Sequence, residues 1–378
     1  MTPLDQGDTL RAALALRVVI VALTLLLASR PAVARLLGLV GSSIASFVTL
    51  TAAVATLVAG GSSPGVLFLH RASQFSFSYD LDGLAAWFLI VLSTLAIPIA
   101  IFSIGYLADR HFDRRSVFVV AAFNVLVGAV EIVFVASDVI TFLFAWELMT
   151  LAAAALVTTH HEDPQSRRAA AVYLVMSHVA TGCLIAGFLV LASASGSLSF
   201  SILLSGDVVR GPMRDVLFAL FFFGFGVKAG IVPLHVWLPE AHPAAPTSIS
   251  ALLSAVLLKT GIYGMVRVCA FGLGAPRLSW GVIVVAVGGL SAVLGVLYAL
   301  MQHDLKRLLA YHSIENIGII LLGLGAGMMA MSHGRKDVAW IGVAASLYHV
   351  LNHAVFKGLL FLGAGNLAMA TGTRAIEK

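Results

Sequence analysis

Two lysines lie inside apolar runs, on either side of a proline-rich break. Lys228 belongs to FFFGFGVKAGIVPLH and Lys259 to ALLSAVLLKTGIYG, with Pro233 and Pro246 between them. An ammonium group at the centre of a membrane helix costs about 2.5–3.5 kcal/mol, so such a residue indicates a functional site. A lysine deprived of water also releases its proton more easily, and it can therefore carry protons. The prolines predict that the helices near both lysines are interrupted.

A carboxyl group also lies in an apolar run, because Glu147 is part of FLFAWELMTLAAAALV. A buried glutamate that faces a lysine can gain or lose its proton according to the state of the lysine, so the two can act as a switch. The alternative is a static buried salt bridge that only fixes helix packing.

Two histidines and a lysine recur every four residues in SLYHVLNHAVFKGLLFLGAGN. His349, His353 and Lys357 therefore lie along one face of a helix. Histidine titrates near neutral pH, so this row predicts a proton relay. A metal site is one alternative, since two histidines four residues apart can both ligate one metal ion, although Lys357 would repel a dication. Structural polar packing is the other alternative.

Four more ionisable residues lie in or beside apolar runs and are further candidates for the relay: His235, His312, Glu315 and Glu131. His312 and Glu315 are three residues apart and share a helical face. Asp304 and Lys306 precede them and are interpreted as solvated residues at a helix end.

The elements that position these residues must be membrane helices. Hydrophobic residues make up 60% of the 378 residues and charged residues 11%, with a mean hydropathy of +1.00, which excludes a soluble domain. The net charge of +5 comes from Lys and Arg clusters between apolar runs, a topology signal rather than a nucleic-acid site. We therefore predict an all-α, multi-pass protein of the cell membrane. The eleven predicted spans are 11–29, 36–59, 82–106, 116–135, 138–159, 169–193, 215–233, 246–272, 279–301, 306–329 and 338–368.

Two shorter features accompany the spans. Residues 62–78 are predicted to form an amphipathic or strand-like outer loop. The two cysteines, Cys183 and Cys269, are far apart, so this chain is not expected to ligate an iron–sulfur cluster or a Cys-based zinc site by itself. It also lacks a P-loop and a GxGxxG motif after a strand, and no flavin or nucleotide is expected in it.

The motifs FAWELM, VKAGIVPLHVWLPEAHPAAPTSISALLS, LLKTGIYG, HDLKRLLAYHSIENIGII and HAVFKGLLFLGAG together resemble the proton-conducting, antiporter-like membrane subunits of respiratory NADH dehydrogenase and its relatives. The run HSIENIG resembles the branch that includes hydrogenase-4 component B and formate hydrogenlyase subunit 3. The resemblance covers residues 80–378, predicted to be a transporter domain, while residues 1–79 hold N-terminal helices and the outer loop.

The resemblance implies inverted five-helix repeats with broken helices. It also implies that Glu147 and Lys228 form the paired switch and that Lys259 is the central relay. The expected function is translocation of protons, or of sodium, as a subunit of a multisubunit hydrogenase or NADH-dehydrogenase-like complex. Other membrane subunits and peripheral redox subunits would be its partners, with the redox chemistry in the latter.

The chain departs from the family pattern in two places. Family members continue past the eleventh helix with another broken helix, whereas this chain ends at ATGTRAIEK, so we expect a truncated or split chain. Glu131 stands where the family pattern has an apolar residue. Two alternatives remain: a subunit of a multisubunit cation/proton antiporter, and an assembly subunit that no longer conducts.

Overall fold

The computed structural model describes residues 6–72, 75–108 and 113–377. In this part of the chain, ten helices are long and apolar enough to cross a membrane. The remaining predicted span, 215–233, corresponds to a helix of 17 residues, Met213–Ala229, which ends early at the break described below. The prediction of an all-α, polytopic membrane protein is therefore confirmed. The inverted repeats stay a prediction.

The chain forms two compact units, Met1–Ser166 and Arg167–Lys378. The first unit is made of long helices, a two-stranded hairpin and the first residues of the helix Pro164–Ser195. Its elements are α1 (Gln6–Leu26), α2 (Pro31–Ala59), β1 (Ser63–His70), β2 (Phe75–Leu81), α3 (Gly83–Tyr106), α4 (Asp113–Val135) and α5 (Val139–Val157). The hairpin is antiparallel, with Ser63 opposite Leu81, and it accounts for the loop predicted at 62–78. The division of the sequence at residue 80 stays a prediction.

The second unit contains the other spans and the short helices between them. Its elements are α6 (Pro164–Ser195), α7 (Phe200–Leu203), α8 (Met213–Ala229), α9 (Leu238–Ala244), α10 (Thr247–Leu252), α11 (Leu258–Gly264), α12 (Leu278–Leu300), α13 (Leu305–Ser332) and α14 (Lys336–Thr371). Aspartates begin three of the long helices in the described part of the chain, because their side chains accept hydrogen bonds from the first turn: Asp82 from Ala85 N, Asp138 from Thr141 N and Asp304 from Arg307 N.

The predicted interruption near Lys228 is confirmed. Helix α8 ends at Ala229 because Gly230 has a φ of +74°, a left-handed conformation that glycine adopts without strain. The irregular residues that follow are held by side chains and the backbone. Val232 N donates to Ser291 Oγ at 3.0 Å, and the indole N–H of Trp237 donates to Val227 O at 2.8 Å. Backbone released from helical bonding at membrane depth is thereby kept inside the protein.

The next span, Thr247–Gly272, is buried within the unit except at Arg267 and Phe271 near its end. It contains two π-helical stretches, Leu253–Leu257 and Met265–Gly272, on either side of α11. Wider π turns shift the direction of the following side chains and often occur at functional sites. Lys259 is the second residue of α11, the helix that directly follows the first of these stretches.

Candidate functional site

Lys259 and His353 are brought into contact by the packing of the buried span against α14. The ammonium nitrogen of Lys259 lies 3.0 Å from His353 Nδ1 and donates to the carbonyl of Ser254 at 2.6 Å. Both side chains are almost completely buried. An ammonium group cannot accept a hydrogen bond, so Nδ1 of His353 accepts when Lys259 is charged. A neutral Lys259 could instead accept a hydrogen from Nδ1, and a proton can therefore move either way.

The other ring nitrogen, His353 Nε2, has no hydrogen-bond partner within the described residues. His349 lies one turn earlier on α14, with its ring stacked at 6.5 Å between centroids. That separation exceeds a direct hydrogen bond, so transfer between the two rings requires a mobile carrier such as water. The predicted one-face arrangement of these histidines is confirmed.

A polar branch leads from His349 to α13. His349 Nε2 lies 3.0 Å from Asn316 Oδ1, and Asn316 Nδ2 donates to the carbonyl of His312 at 2.7 Å. His312 Nδ1 in turn lies 2.5 Å from Glu315 Oε2. His312 and Glu315 are partly exposed, at 35% and 21% of the side chain, so this branch connects the buried pair to the surface of the chain.

A second branch ends at Lys357. Its ammonium nitrogen donates to the carbonyl of Leu309 at 2.9 Å, and the hydroxyl of Ser313 donates to the same carbonyl at 2.9 Å. Ser313 Oγ also lies 2.8 Å from Ser254 Oγ. The two serine hydroxyls therefore lie between the carbonyl groups that anchor Lys259 and Lys357.

Sequence reasoning missed Asn316, Ser254 and Ser313. Asn316 follows His312 by four residues, and this spacing was an available signal because it places both on one face of α13. The serines gave no comparable signal, because a hydroxyl in an apolar helix usually bonds to a carbonyl of its own preceding turn.

Lys228 has separate partners on α6. Its ammonium nitrogen lies 3.1 Å from Tyr173 Oη and 3.4 Å from Ser177 Oγ, and 5.0 Å from the centroid of the Tyr173 ring. The side chain is buried although it lies in the last turn of α8. A cation over an aromatic face is stabilised, more so when it is desolvated. Lys228 therefore does not extend to a polar interface.

Gly261 allows α11 to lie against the turn of α8 that carries Lys228. A Cβ at this position would be 2.5 Å from the carbonyl oxygen of Phe225 and 2.7 Å from Ala229 N. Both are backbone atoms, so no side chain can turn aside to make room. The close approach of the two lysine-bearing helices depends on glycine here.

We expect Gly261→Ala to push α11 away from α8, to destabilise the protein by about 1–3 kcal/mol, and to slow transport. The thermal midpoint of the purified protein measures the first effect, and proton uptake by membrane vesicles the second. Gly289→Ala is the matched control: Gly289 lies inside α12, where an added Cβ meets only Leu322 at 3.9 Å. That control should be neutral or slightly stabilising, since alanine favours the helix. Equal thermal midpoints and equal proton uptake in Gly261→Ala and Gly289→Ala would contradict the role of Gly261 in helix packing.

Two histidines of the broken region pack on aromatic rings. His235, between α8 and α9, lies against Tyr311 with 6.4 Å between ring centroids. His242, on α9, is fully buried and stacks on Phe361 at 4.8 Å, and neither ring nitrogen has a hydrogen-bond partner within the described residues. Our sequence reasoning gave His242 no role, since it reads as part of a proline-rich loop.

The interpretation of Lys306 as a solvated residue is wrong. Only 4% of Lys306 is exposed, and its ammonium nitrogen donates to the carbonyl of Ala245 at 2.7 Å. This carbonyl belongs to the residue that follows α9, where helix carbonyls lack partners within the helix. Because this carbonyl has no partner within the helix, it accepts a hydrogen bond from the Lys306 ammonium group, which is buried as a result.

The first unit holds Glu147, half-buried in the middle of α5. Its assignment to a switch with Lys228 involves residues of both units and stays a prediction. A solvated loop follows α5, where Arg115 pairs with Glu162 and lies 3.2 Å from His160 Nδ1. A backbone hydrogen bond, and then the Arg115 guanidinium, hold the pKa of the Glu162 carboxyl below its usual range.

Glu131 has a buried cationic partner, Arg17. The carboxylate of Glu131 on α4 accepts hydrogen bonds from two nitrogens of the Arg17 guanidinium, at 2.6 and 2.7 Å, and from the hydroxyl of Thr49 at 2.7 Å. Arg17 on α1 also donates to Ser42 at 3.3 Å and Ser46 at 2.8 Å. The three helices α1, α2 and α4 therefore share one ionic cluster.

Comparison with known proteins identifies the type of chain. The profile of the family described as NADH:quinone oxidoreductase/Mrp antiporter, TM, matches residues 136–378, which is more than half of the sequence. A second profile, NADH-ubiquinone oxidoreductase (complex I), chain 5 N-terminus, matches residues 69–116.

Two relatives come from Escherichia coli strain K12. Hydrogenase-4 component B is 37% identical over 83% of this chain and 47% of its own length, and formate hydrogenlyase subunit 3 is 33% identical over 90% and 53%. The chain thus spans about half the length of these curated relatives.

A similar solved structure is a chain of the membrane-bound sulfane sulfur reductase, an archaeal respiratory membrane complex. It has a TM-score of 0.80 and 28% identity, covering 97% of this chain and 57% of that one. The resemblance found in the motifs, including its hydrogenase branch, is confirmed. With ten apolar helices among the residues that the structure describes, this chain is a multi-pass membrane protein that belongs to the NADH:quinone oxidoreductase/Mrp antiporter family.

Proposed function

We propose that the chain is a proton-translocating membrane subunit of a multisubunit hydrogenase or NADH-dehydrogenase-like complex in the cell membrane. The contact between Lys259 and His353 carries this proposal. Two basic groups that are both buried and 3.0 Å apart cannot both be charged without strong repulsion, so together they hold one proton that either can take. Such a pair is suited to passing a proton rather than to fixing two helices.

In this proposal the partly exposed His312 and Glu315 exchange protons with water at the surface of the chain. Asn316 fixes the ring of His349, which lies between that entry and His353. A proton taken up at Nε2 of His353 lets Nδ1 release its own proton to a neutral Lys259, whose amine becomes an ammonium group. Lys259 becomes neutral again when it passes a proton on towards Lys357. Lys357 would be the next carrier on the face of α14. The carbonyl of Leu309 accepts a hydrogen bond from Lys357 and holds it in place, but it does not itself carry a proton.

The relatives named as a hydrogenase component and a formate hydrogenlyase subunit support a place in a multisubunit complex. Electron transfer would then occur in peripheral partner subunits, with no redox cofactor in this chain. A cation/proton antiporter subunit is the second candidate, because the matching family includes Mrp antiporters.

Purification with native partners in mild detergent, followed by mass spectrometry, separates these candidates. Recovery of nickel–iron hydrogenase-like large and small subunits supports the proposal. Recovery of antiporter-type membrane subunits alone would overturn it in favour of the second candidate.

We expect Glu147→Gln to slow proton uptake by inverted membrane vesicles about tenfold, equal to ~1.4 kcal/mol of barrier, because an amide cannot exchange the proton that the switch requires. Glu162→Gln is the control, since 56% of the Glu162 side chain is exposed in a solvated loop. Normal uptake by Glu147→Gln, with normal assembly of the complex, would remove Glu147 from the relay.

A further inference from the structure

A groove of about 490 Å³ lies between α8 and α12 in the second unit. Its walls are apolar and follow one face of each helix: Phe218, Ala219 and Phe222 on α8, and Trp280, Ile283 and Val287 on α12. Its volume is within the ~300–1,000 Å³ typical of sites for small molecules. None of the relay residues described above lines it.

The groove is about as long, measured along its two helices, as one leaflet of a bilayer is thick. On α8 it extends from Asp215 to Phe223, and on α12 from Ser279 to Val287. Eight residues of helix rise about 12 Å, and half of a ~30 Å hydrocarbon core is about 15 Å. The inner end is closed by the irregular residues after α8, including Pro233. The groove therefore leads from a membrane surface to the helix break.

The outer end is polar and carries more positive than negative charge. Asp215 pairs with Arg277 and accepts a hydrogen bond from the indole N–H of Trp280 at 2.7 Å. A second guanidinium, that of Arg214, lies 5.2 Å from the centroid of the Trp280 ring. Tryptophan is enriched at membrane surfaces, and arginine binds phosphate oxygens through paired hydrogen bonds. The arginines lie beside the groove and do not line it, and each also bonds to backbone: Arg214 donates to two carbonyls at 2.9 and 2.7 Å, and Arg277 donates to one at 2.9 Å. Their remaining N–H groups, with one carboxylate between them, leave a net positive charge for an anion at this end.

The groove is too narrow for a helix of a partner protein to enter it, so such a helix fills it only with single side chains. Phe218 and Trp280 stack across it with ring centroids 4.7 Å apart, so the walls are in contact beside the open space. A helix with its side chains is about 10–12 Å wide. The acyl chain of a lipid is apolar and narrower than a helix, and the membrane supplies it.

We propose that this groove binds one glycerophospholipid, with its phosphate at Arg214 and Arg277 and one acyl chain between α8 and α12. The chain end reaches Pro233 and covers the irregular backbone from the membrane side. The lipid would thereby keep water out of the break on the face of α8 opposite to the contacts of Lys228 with α6.

The test uses the protein purified with its native partners and exchanged into detergent containing a stated amount of phosphatidylglycerol. Native mass spectrometry counts the lipid retained on this chain. We expect one tightly bound lipid, and an affinity lowered about tenfold in Ala219→Trp and in Ile283→Trp, whose added rings fill the groove, a tenfold change being ~1.4 kcal/mol. Val282→Trp is the control, since Val282 is 47% exposed on α12 but does not line the groove.

Equal lipid retention by the wild type and both groove variants would overturn the proposal. A photoreactive side chain at position 283 gives an independent result. Crosslinking to lipid supports the proposal, and crosslinking to a partner polypeptide overturns it. Because the two tryptophan variants are on different helices, misfolding of one leaves the other to decide.

Discussion

Lys259→Met is expected to abolish proton transport by the assembled complex, lowering the rate about 100-fold or more, because a positioned group that gives and takes a proton contributes that much. The substitution removes the donor to Ser254 O and the partner of His353 Nδ1, while methionine fills a similar apolar volume. Proton uptake by inverted vesicles, driven by the native electron donor, measures the effect.

Lys259→Arg separates proton transfer from a merely structural charge. Arginine keeps the positive charge but does not release its proton in proteins, so assembly should survive while transport is still lost. Lys336→Met is the control, since Lys336 is exposed at the start of α14. Normal transport by the arginine variant would mean that Lys259 only supplies a charge, and the proposed relay would be wrong.

Glu131→Ala is expected to destabilise the protein by about 3–5 kcal/mol, because it leaves the buried Arg17 guanidinium without its counter-charge. Glu131 is fully buried and Arg17 is 3% exposed, so water cannot take the place of the carboxylate. The free energy of unfolding in detergent micelles measures this loss. Transport per folded complex should remain unchanged if the cluster only joins α1, α2 and α4.

The double variant Arg17→Met with Glu131→Leu should recover most of this stability, since apolar residues of similar size can replace a buried ion pair. Asp337→Ala is the surface control. It breaks the exposed pair of Arg335 and Asp337, and we expect a loss of at most about 1 kcal/mol. If Glu131→Ala behaves like this control, the buried pair is not what holds the three helices together.

The helices themselves were predictable from the sequence. Each predicted span corresponds to a helix, with ends shifted by a few residues, because apolar length is a local property of the chain. The break after Lys228 was also local, since Gly230 and Pro233 stand three residues apart and together favour the end of a helix. The shared face of His349, His353 and Lys357 follows from helical periodicity alone.

The solvation of single charged residues was less predictable. Lys306 reads as a residue at the start of a helix, yet it is buried because the end of α9, about 60 residues earlier in the chain, offers it a carbonyl. Glu131 has no cationic residue in its own apolar run, and its partner Arg17 lies in the first span, 114 residues earlier.

The sequence by itself determined the membrane-spanning class of this protein, the positions of its spans and the helix break, and it supplied the candidates for the proton relay. Only the tertiary structure decided which of these residues meet. Lys259 and His353 are 94 residues apart, and Arg17 and Glu131 are 114 apart. Their contacts depend on the register and rotation of one helix against another. Interdigitating side chains and glycines such as Gly261 set that register, and no local pattern encodes it.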